Sequence, residues 1–250
     1  MTPEGRVTPA RQVGWLAAAM LLVASSPAHA MHLADGILPG RWALVWTAAS
    51  LPFVVAALAL LERRDARDAF YKPFVAMVAA AVFLISCMPV PVPTAGTCSH
   101  PCGTGLAAIL IGPSMTVLVT VVALLLQALF LAHGGFTTLG ADVFSMGVAG
   151  AFVGYLVFTV GRRAGLGLGA AAFLAGVISD WATYATTSLE LATALHGARP
   201  LGATFVAVAL AFVPTQLPLG LFEGVLSAGA VTFLYRRRRD ILVRLQVVPA

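Results

Sequence analysis

Charge is the property that this sequence has least of. Only 10% of its 250 residues are charged, whereas a soluble domain carries about 25%, and 60% are hydrophobic, with a mean hydropathy of +0.93. Such a surface cannot face water, so we expect an integral membrane protein. The net charge of +5 comes from short basic runs between apolar stretches. That pattern is typical of membrane topology rather than of nucleic-acid binding, and no nucleic-acid partner is expected.

Cysteine and the common catalytic motifs are also scarce. The three cysteines (Cys87, Cys98 and Cys102) are too few for a disulfide scaffold. No G-x-x-x-x-G-K-[ST] loop is present, so this sequence is not expected to contain a P-loop ATPase site. The absence of an H-E-x-x-H pair removes the commonest metallohydrolase signature.

The N-terminus has the pattern of a secretory signal. Arg6 and Arg11 precede an apolar run at 13–24, which is shorter than the roughly 20 residues of a spanning helix. Ala28-His29-Ala30 then matches the small-x-small cleavage pattern. We predict a signal peptide over 1–30 and a single transmembrane domain over 31–250. An uncleaved signal anchor is the alternative.

Apolar segments and basic residues together predict the topology. If the mature N-terminus is outside and the chain crosses seven times, the basic runs all fall on the cytoplasmic side, and only Arg41 and Arg199 lie outside. We therefore predict an all-α membrane protein of about seven helices, in which 103–112 is a short or broken crossing. A re-entrant loop is the alternative for that segment. The other apolar segments are 41–61, 72–90, 113–132, 143–161, 167–189 and 200–235.

Cleavage after Ala30 would create a chain that begins Met31-His32. A free α-amine has a pKa near 8, so a metal can displace its proton. With the backbone amide and imidazole of His32, the amine offers three nitrogens of one plane, which suits Ni(II) or Cu(II) and is compatible with Co(II). His100, in an outer loop, can supply the fourth nitrogen. The sequence leaves two alternatives open: His32 could be an ordinary polar surface residue, and His100 could be a loop histidine that hydrogen-bonds to the backbone.

Three stretches carry a resemblance to a known family. MHLADGILPGRWAL, GTCSHPCGTGLAAILIGP and HGGFTTLGADVFSMGVAGAFVGY resemble the CbiM/NikM family, the substrate-binding membrane components of energy-coupling-factor (ECF) ABC transporters for cobalt and nickel. The resemblance implies seven helices and a Co(II) or Ni(II) substrate held by Met31, His32 and His100. It also implies a transport component rather than an enzyme, with no prosthetic group. The implied partners are a transmembrane coupling subunit, cytoplasmic ATPases and a small accessory membrane subunit. The implied location is the bacterial inner membrane, with the mature N-terminus outside.

The loop around His100 departs from the family pattern. Cys98 and Cys102 flank the histidine, where the family usually has no cysteine, and Ser99 is a further candidate. A disulfide that pins the loop is the favoured interpretation, and thiolate ligation is the alternative. A metal-dependent or thiol-redox membrane enzyme that uses this loop is the rival function, although redox pairs are usually the closer C-x-x-C.

Other polar residues are candidates for supporting roles. Asp35 could orient a ligand imidazole or cap the first helix. His133 could ligate metal, or its neighbouring glycines could simply pack the backbone. Asp142 and Asp180 are interpreted as structural polar contacts. Glu190 and Glu223 are ionisable groups within or close to apolar segments, where such groups are functional suspects.

Overall fold

The computed structural model describes residues 29–30, 33, 35–66, 68–88, 90–92, 97–131 and 133–249. The predicted signal peptide up to residue 28 lies outside this part of the chain, and so do Met31 and His32. The division into 1–30 and 31–250 therefore remains a prediction.

Helices make up most of the described chain. They are α1 (Gly40–Asp65), α2 (Tyr71–Ser86), α3 (Thr104–Ile111), α4 (Pro113–Leu131), α5 (Leu139–Arg163), α6 (Leu168–Leu195), α7 (Leu201–Arg237) and α8 (Arg239–Arg244). The middle of α5, Val143–Gly150, is π-helical. Several boundaries follow from local chemistry. For example, α4 begins at Pro113, where a missing N–H costs nothing.

The predicted number of crossings is supported only in part. Within the described residues, five helices (α1, α4, α5, α6 and α7) are long and apolar enough to span a membrane. α2 has 16 residues and α3 has 8, which is less than the usual spanning length. Transmembrane character is thus clear, while the count of seven crossings stays a prediction.

The short helix α3 is enclosed by the rest of the protein. All of its residues except Leu106 are buried. It is bracketed by two glycines with positive φ, Gly103 at 68° and Gly112 at 83°, where a residue with a side chain would be strained. Short helical pieces at membrane depth need such protein surroundings. The prediction of a short helical segment within 103–112 is confirmed, and whether this segment crosses the membrane or re-enters it stays a prediction.

A small sheet accompanies the helices, which otherwise bear out the predicted all-α architecture. Strands β1 (His29–Ala30), β2 (Val90–Val92) and β3 (Thr97–Ser99) pair in the order β1-β3-β2. β1 runs parallel to β3, with Ala30 opposite Cys98, and β2 runs antiparallel to it. These strands have two or three residues each, too few for the alternating pattern that predicts a strand from sequence.

Close helix packing holds the centre of the molecule. α6 and α7 approach so closely that a Cβ added at Gly176 would lie 2.6 Å from the backbone oxygen of Glu223. A Cβ at Gly105 of α3 would lie 2.9 Å from Ser179 Cβ. Small residues permit this approach in a membrane protein. The centre of the molecule is therefore shaped by backbone proximity between α3, α6 and α7.

Basic side chains gather at one end of the helices. Arg64 of α1 and Arg162 and Arg163 of α5 line one open cavity of about 450 Å³, together with the C-terminal end of α3. The segment after α7 turns back to this end, where Arg244 contacts Asp68. The sequence prediction that these basic groups share one side of the membrane agrees with this arrangement.

Candidate metal site

His100 lies directly after β3 and is completely buried. Its Nδ1 is 3.0 Å from the carbonyl oxygen of Pro101. Burial lowers the pKa of His100 to about 4, so the imidazole is neutral at physiological pH. When Nδ1–H donates to Pro101, the lone pair that a metal requires is on Nε2.

His133 lies beside His100, although 32 residues separate them in the sequence. The two ring centroids are 5.3 Å apart. The backbone N–H of His133 donates to the carbonyl of Gln127, at 3.2 Å, as the chain leaves α4. Burial lowers the pKa of His133 as well, so this ring too is a neutral nitrogen donor. The structure therefore brings together two of the predicted site histidines.

The chain just after His32 is held by the loop that follows His133. The buried Leu33 donates its backbone N–H to Asp142 Oδ1 at 3.0 Å. Its carbonyl oxygen accepts the hydroxyl of Thr138. The prediction that Asp142 is a structural contact is confirmed, and its partner is the backbone next to the predicted N-terminal ligand.

Asp35 extends the same connection. Its carboxylate accepts hydrogen bonds from the hydroxyl and N–H of Thr137, at 2.5 and 2.8 Å, and from Phe136 N–H at 3.3 Å. The Thr137 hydroxyl is the largest cause of the lowered pKa of Asp35. We call Leu33, Asp35, Thr137, Thr138 and Asp142 the N-terminal anchor.

The predicted capping role of Asp35 is wrong. Helix α1 begins after Pro39 without a side-chain cap, because the carboxylate is already used by the turn at 136–137. Its other predicted role, orienting an imidazole, involves His32 and lies outside the described residues.

Strand pairing brings the N-terminal segment to the same loop. Ala30, the last residue of the predicted signal peptide, is opposite Cys98 on β3. His100 follows that strand by one residue. The chain on both sides of Met31-His32 is thus attached near the two histidines, at Ala30 by backbone pairing and at Leu33 by the N-terminal anchor.

Cys102 corrects the favoured interpretation of the cysteines. It is a free, completely buried thiol, so the predicted disulfide with Cys98 is absent. The reason is local. Cys98 belongs to β3, whereas Cys102 precedes α3, and its N–H donates to Glu223 Oε1. The side chains of Cys98 and Ser99 lie outside the described part.

The environment of Cys102 does not favour a redox role for this thiol. Burial raises the pKa of the Cys102 thiol well above its usual value, and the carboxylates of Glu223 and Asp180 add to that shift. A redox thiol needs the opposite, a lowered pKa and access to solvent. Sequence reasoning paired Cys102 with Cys98 and could not identify Glu223, which lies 121 positions away. The only signal was that Glu223 is an ionisable group in an apolar segment.

Comparison with known proteins agrees with this architecture. Residues 32–241 match the family model for CbiM, described as a cobalt uptake substrate-specific transmembrane region. A cobalt transport protein CbiM from Sorangium cellulosum is 71% identical over 218 residues, which cover 87% of this chain and 97% of that protein. A cobalt transport protein CbiM from Geobacter sulfurreducens is 56% identical, over 93% of this chain and 66% of that protein.

A solved structure is similar throughout its length. The crystal structure of a transition metal transporter has a TM-score of 0.75 and 26% identity, over 86% of this chain and 100% of that one. These matches, together with the transmembrane helices, show that the chain belongs to the CbiM family and is a transport component rather than an enzyme.

Proposed function

We propose that this chain is the substrate-capture component of an ECF-type ABC transporter that imports a divalent transition metal, Co(II) or Ni(II). The metal is held by the α-amine of Met31, the backbone nitrogen and imidazole of His32, and the imidazole of His100. The observation that carries the proposal is the position of His100. It is a fully buried, neutral imidazole that directly follows β3, the strand on which Ala30 is paired, and its ring lies 5.3 Å from that of His133.

Burial of a histidine without a role is unfavourable, which supports a ligand function for His100. A buried polar group has to be satisfied, and a metal bond at one nitrogen with a carbonyl acceptor at the other is the usual arrangement. Here Pro101 supplies that carbonyl at 3.0 Å. His133, with its ring centroid 5.3 Å away, is an additional ligand or an outer-shell contact.

The four nitrogens define the metals that fit. A plane of amine, amide and imidazole nitrogens favours Ni(II) or Cu(II), and also accommodates Co(II). The names of the relatives select cobalt among these. Removal of the signal peptide creates the site, because only cleavage frees the amine of Met31.

Import requires partners that supply ATP hydrolysis. The proposed partners are a transmembrane coupling subunit and cytoplasmic ATPases, together with a small accessory membrane subunit. The basic cavity lined by Arg64, Arg162 and Arg163 is a docking surface of suitable charge for acidic groups on such subunits or for anionic lipid. The inner membrane, with the mature N-terminus outside, is the location that this assembly needs.

The test is a Co(II) and Ni(II) titration of the mature chain, purified in detergent after N-terminal sequencing. His100→Ala should weaken binding by more than the roughly 10- to 100-fold that loss of an outer-shell partner costs. His196→Ala is the matched control, because His196 sits in an exposed turn with its Nδ1 near the carbonyl of Arg199, and this variant should bind normally.

A second comparison tests the amine. A chain with one alanine added before Met31 retains a free amine but moves it one residue away from His32. We expect binding to be lost. Tight binding by this extended chain, or by a chain that still begins at Met1, would refute the nitrogen plane. Unchanged affinity in His100→Ala would refute the loop ligand.

A further inference from the structure

Three potential metal ligands meet at the N-terminal end of α3, away from the histidines. They are Cys102, just before α3, Asp180 on α6 and Glu223 on α7. One ligand atom from each, the thiol sulfur and two carboxylate oxygens, lie within 4.8 Å of one another. All three residues are at most 1% exposed. We call them the inner cluster.

Asp180 gives the strongest indication of a bound ligand. Both of its carboxylate oxygens are buried and have no hydrogen-bond partner. An ionised carboxylate in that position is costly unless a cation or a proton compensates its charge. The backbone of α7 comes close to it at Gly220, where an added Cβ would lie 3.2 Å from Asp180 Oδ2 and 2.4 Å from Nε1 of Trp181.

Glu223 is oriented toward the same point by the backbone. The N–H of Cys102 donates to Oε1, and the N–H of Gly103 lies 3.3 Å from both carboxylate oxygens. Each carboxylate oxygen has two lone pairs, so these bonds leave capacity for a metal. Backbone donors that fix a carboxylate in this way are typical of the outer shell of a metal site.

We propose that the inner cluster is a second binding site for a divalent transition metal, which the cargo occupies after it leaves the outer nitrogen site. The proposal deepens the proposed function and rests on it for the order of the two sites. One sulfur and two oxygens suit a four-coordinate Co(II) or Zn(II), with water in the fourth position. Bonds of about 2.0–2.3 Å place tetrahedral ligands about 3.5 Å apart, so ligand atoms that now lie within 4.8 Å of one another have to close by up to about 1.3 Å on binding.

The inner cluster also lies between the two ends of the expected route. Cys102 is two residues after His100, a reach of at most about 7 Å. From Cys102, the eight residues of α3 cover about 12 Å. The helix ends at Ile111, which lines the basic cavity at the cytoplasmic end. A metal at the inner cluster is thus one short helix away from the predicted exit side.

Co(II) titration of the mature chain, followed by absorbance, tests the proposal. A thiolate bound to Co(II) gives a sulfur-to-metal charge-transfer band in the near ultraviolet, which the outer nitrogen site cannot give. We expect two equivalents of Co(II) and this band. Cys102→Ser should lose the band and one equivalent. Cys87→Ser is the matched control, since Cys87 is a free cysteine outside the cluster, and it should keep both.

Glu223→Gln keeps an oxygen for the backbone donors but removes the charge, so it tests the site with little effect on the fold. It should lower the affinity for the Co(II) ion that gives the charge-transfer band by at least about 10-fold. Glu190→Gln is its control, because Glu190 is another buried carboxylate without a hydrogen-bond partner, on the same helix as Asp180 but outside the cluster. Thermal unfolding of each variant reports whether it folds.

The outcomes separate this proposal from the proposed function. His100→Ala should lose the outer equivalent and keep the band. If the unmodified chain binds one equivalent of Co(II) and gives no charge-transfer band, the inner cluster is not a metal site. Its carboxylates would then share a proton, and the outer site would be unaffected. A band that persists in Cys102→Ser and disappears in Cys98→Ser also overturns it. If His100→Ala keeps both equivalents, the outer ligand is misassigned and the inner cluster stands.

Discussion

The N-terminal anchor and the inner cluster both contain buried aspartates in membrane helices, yet they are stabilised differently. In the anchor, Asp142 accepts the N–H of Leu33, so hydrogen bonds between distant segments fix the geometry. In the inner cluster, Asp180 has no such bond, and its position follows from the close approach of α6 and α7. The contrast suggests that one carboxylate positions the chain, while the other is left available for a ligand.

The largest expected effect comes from disturbing the close helix packing. Gly176→Ala would place a Cβ 2.6 Å from the carbonyl oxygen of Glu223 and 2.7 Å from Ser227 Oγ. Overpacking of this kind costs about 1–3 kcal/mol. We expect a lower thermal unfolding temperature in detergent and a lower affinity of the inner cluster for Co(II).

Gly229→Ala on α7 is the control for that change. Nothing lies within 4 Å of its added Cβ, and alanine is favoured over glycine in a helix by about 1 kcal/mol. This variant should be as stable as the unmodified chain or slightly more so. Equal unfolding temperatures for the two variants would contradict the packing account.

The next largest effect is expected from Asp142→Leu, which removes the hydrogen bond between Asp142 and Leu33 in the N-terminal anchor. It leaves the buried N–H of Leu33 without its acceptor, at a cost of about 1–3 kcal/mol. If the lost hydrogen bond destabilises the metal-bound state relative to the metal-free state by this amount, the Co(II) affinity drops by up to about 100-fold. Isothermal titration measures this. Asp142→Asn keeps an oxygen acceptor and should lose much less, and an unchanged affinity in Asp142→Leu would separate the anchor from metal binding.

Thr137→Val should have a smaller effect, since it removes one of three donors from the exposed Asp35. A hydrogen bond to an ionised carboxylate contributes about 1.5–3 kcal/mol where it is shielded from water, and the exposure of Asp35 reduces the contribution of this one. Co(II) affinity should fall slightly, and the pKa of Asp35 should rise toward its usual value because Thr137 is the main cause of its lowering. Thr159→Val, which removes an exposed hydroxyl within α5, serves as the control.

The smallest effect is expected at the basic end. The Arg244 guanidinium holds the pKa of Asp68 below its usual value of 3.8. A carboxylate with a lowered pKa stabilises the fold above that usual value, and the contribution is lost as pH falls through the lowered pKa. Arg244→Ala should therefore have a slightly lower thermal unfolding temperature than the unmodified chain at pH 7. The difference between the two temperatures should vanish in strong acid. A difference that persists there would assign the effect to packing of Arg244 on Phe70 instead.

What sequence could predict here depends on the range of the interaction. The apolar segments predicted α1, α3 and α4 closely, because length and hydropathy are local properties. Asp35 and Cys102 were misinterpreted because their partners lie about 100 or more positions away.

The two positive-φ glycines that bracket α3 have a consequence for how the two ends of the molecule are connected. Gly103 and Gly112 interrupt the helical path on both sides of an eight-residue helix, so the chain changes direction at each end of α3. Its first turn follows Cys102 and its last lines the basic cavity. The basic cavity is therefore joined to the backbone donors that hold Glu223 by one packed helix of about 12 Å, and not by any of the five long helices.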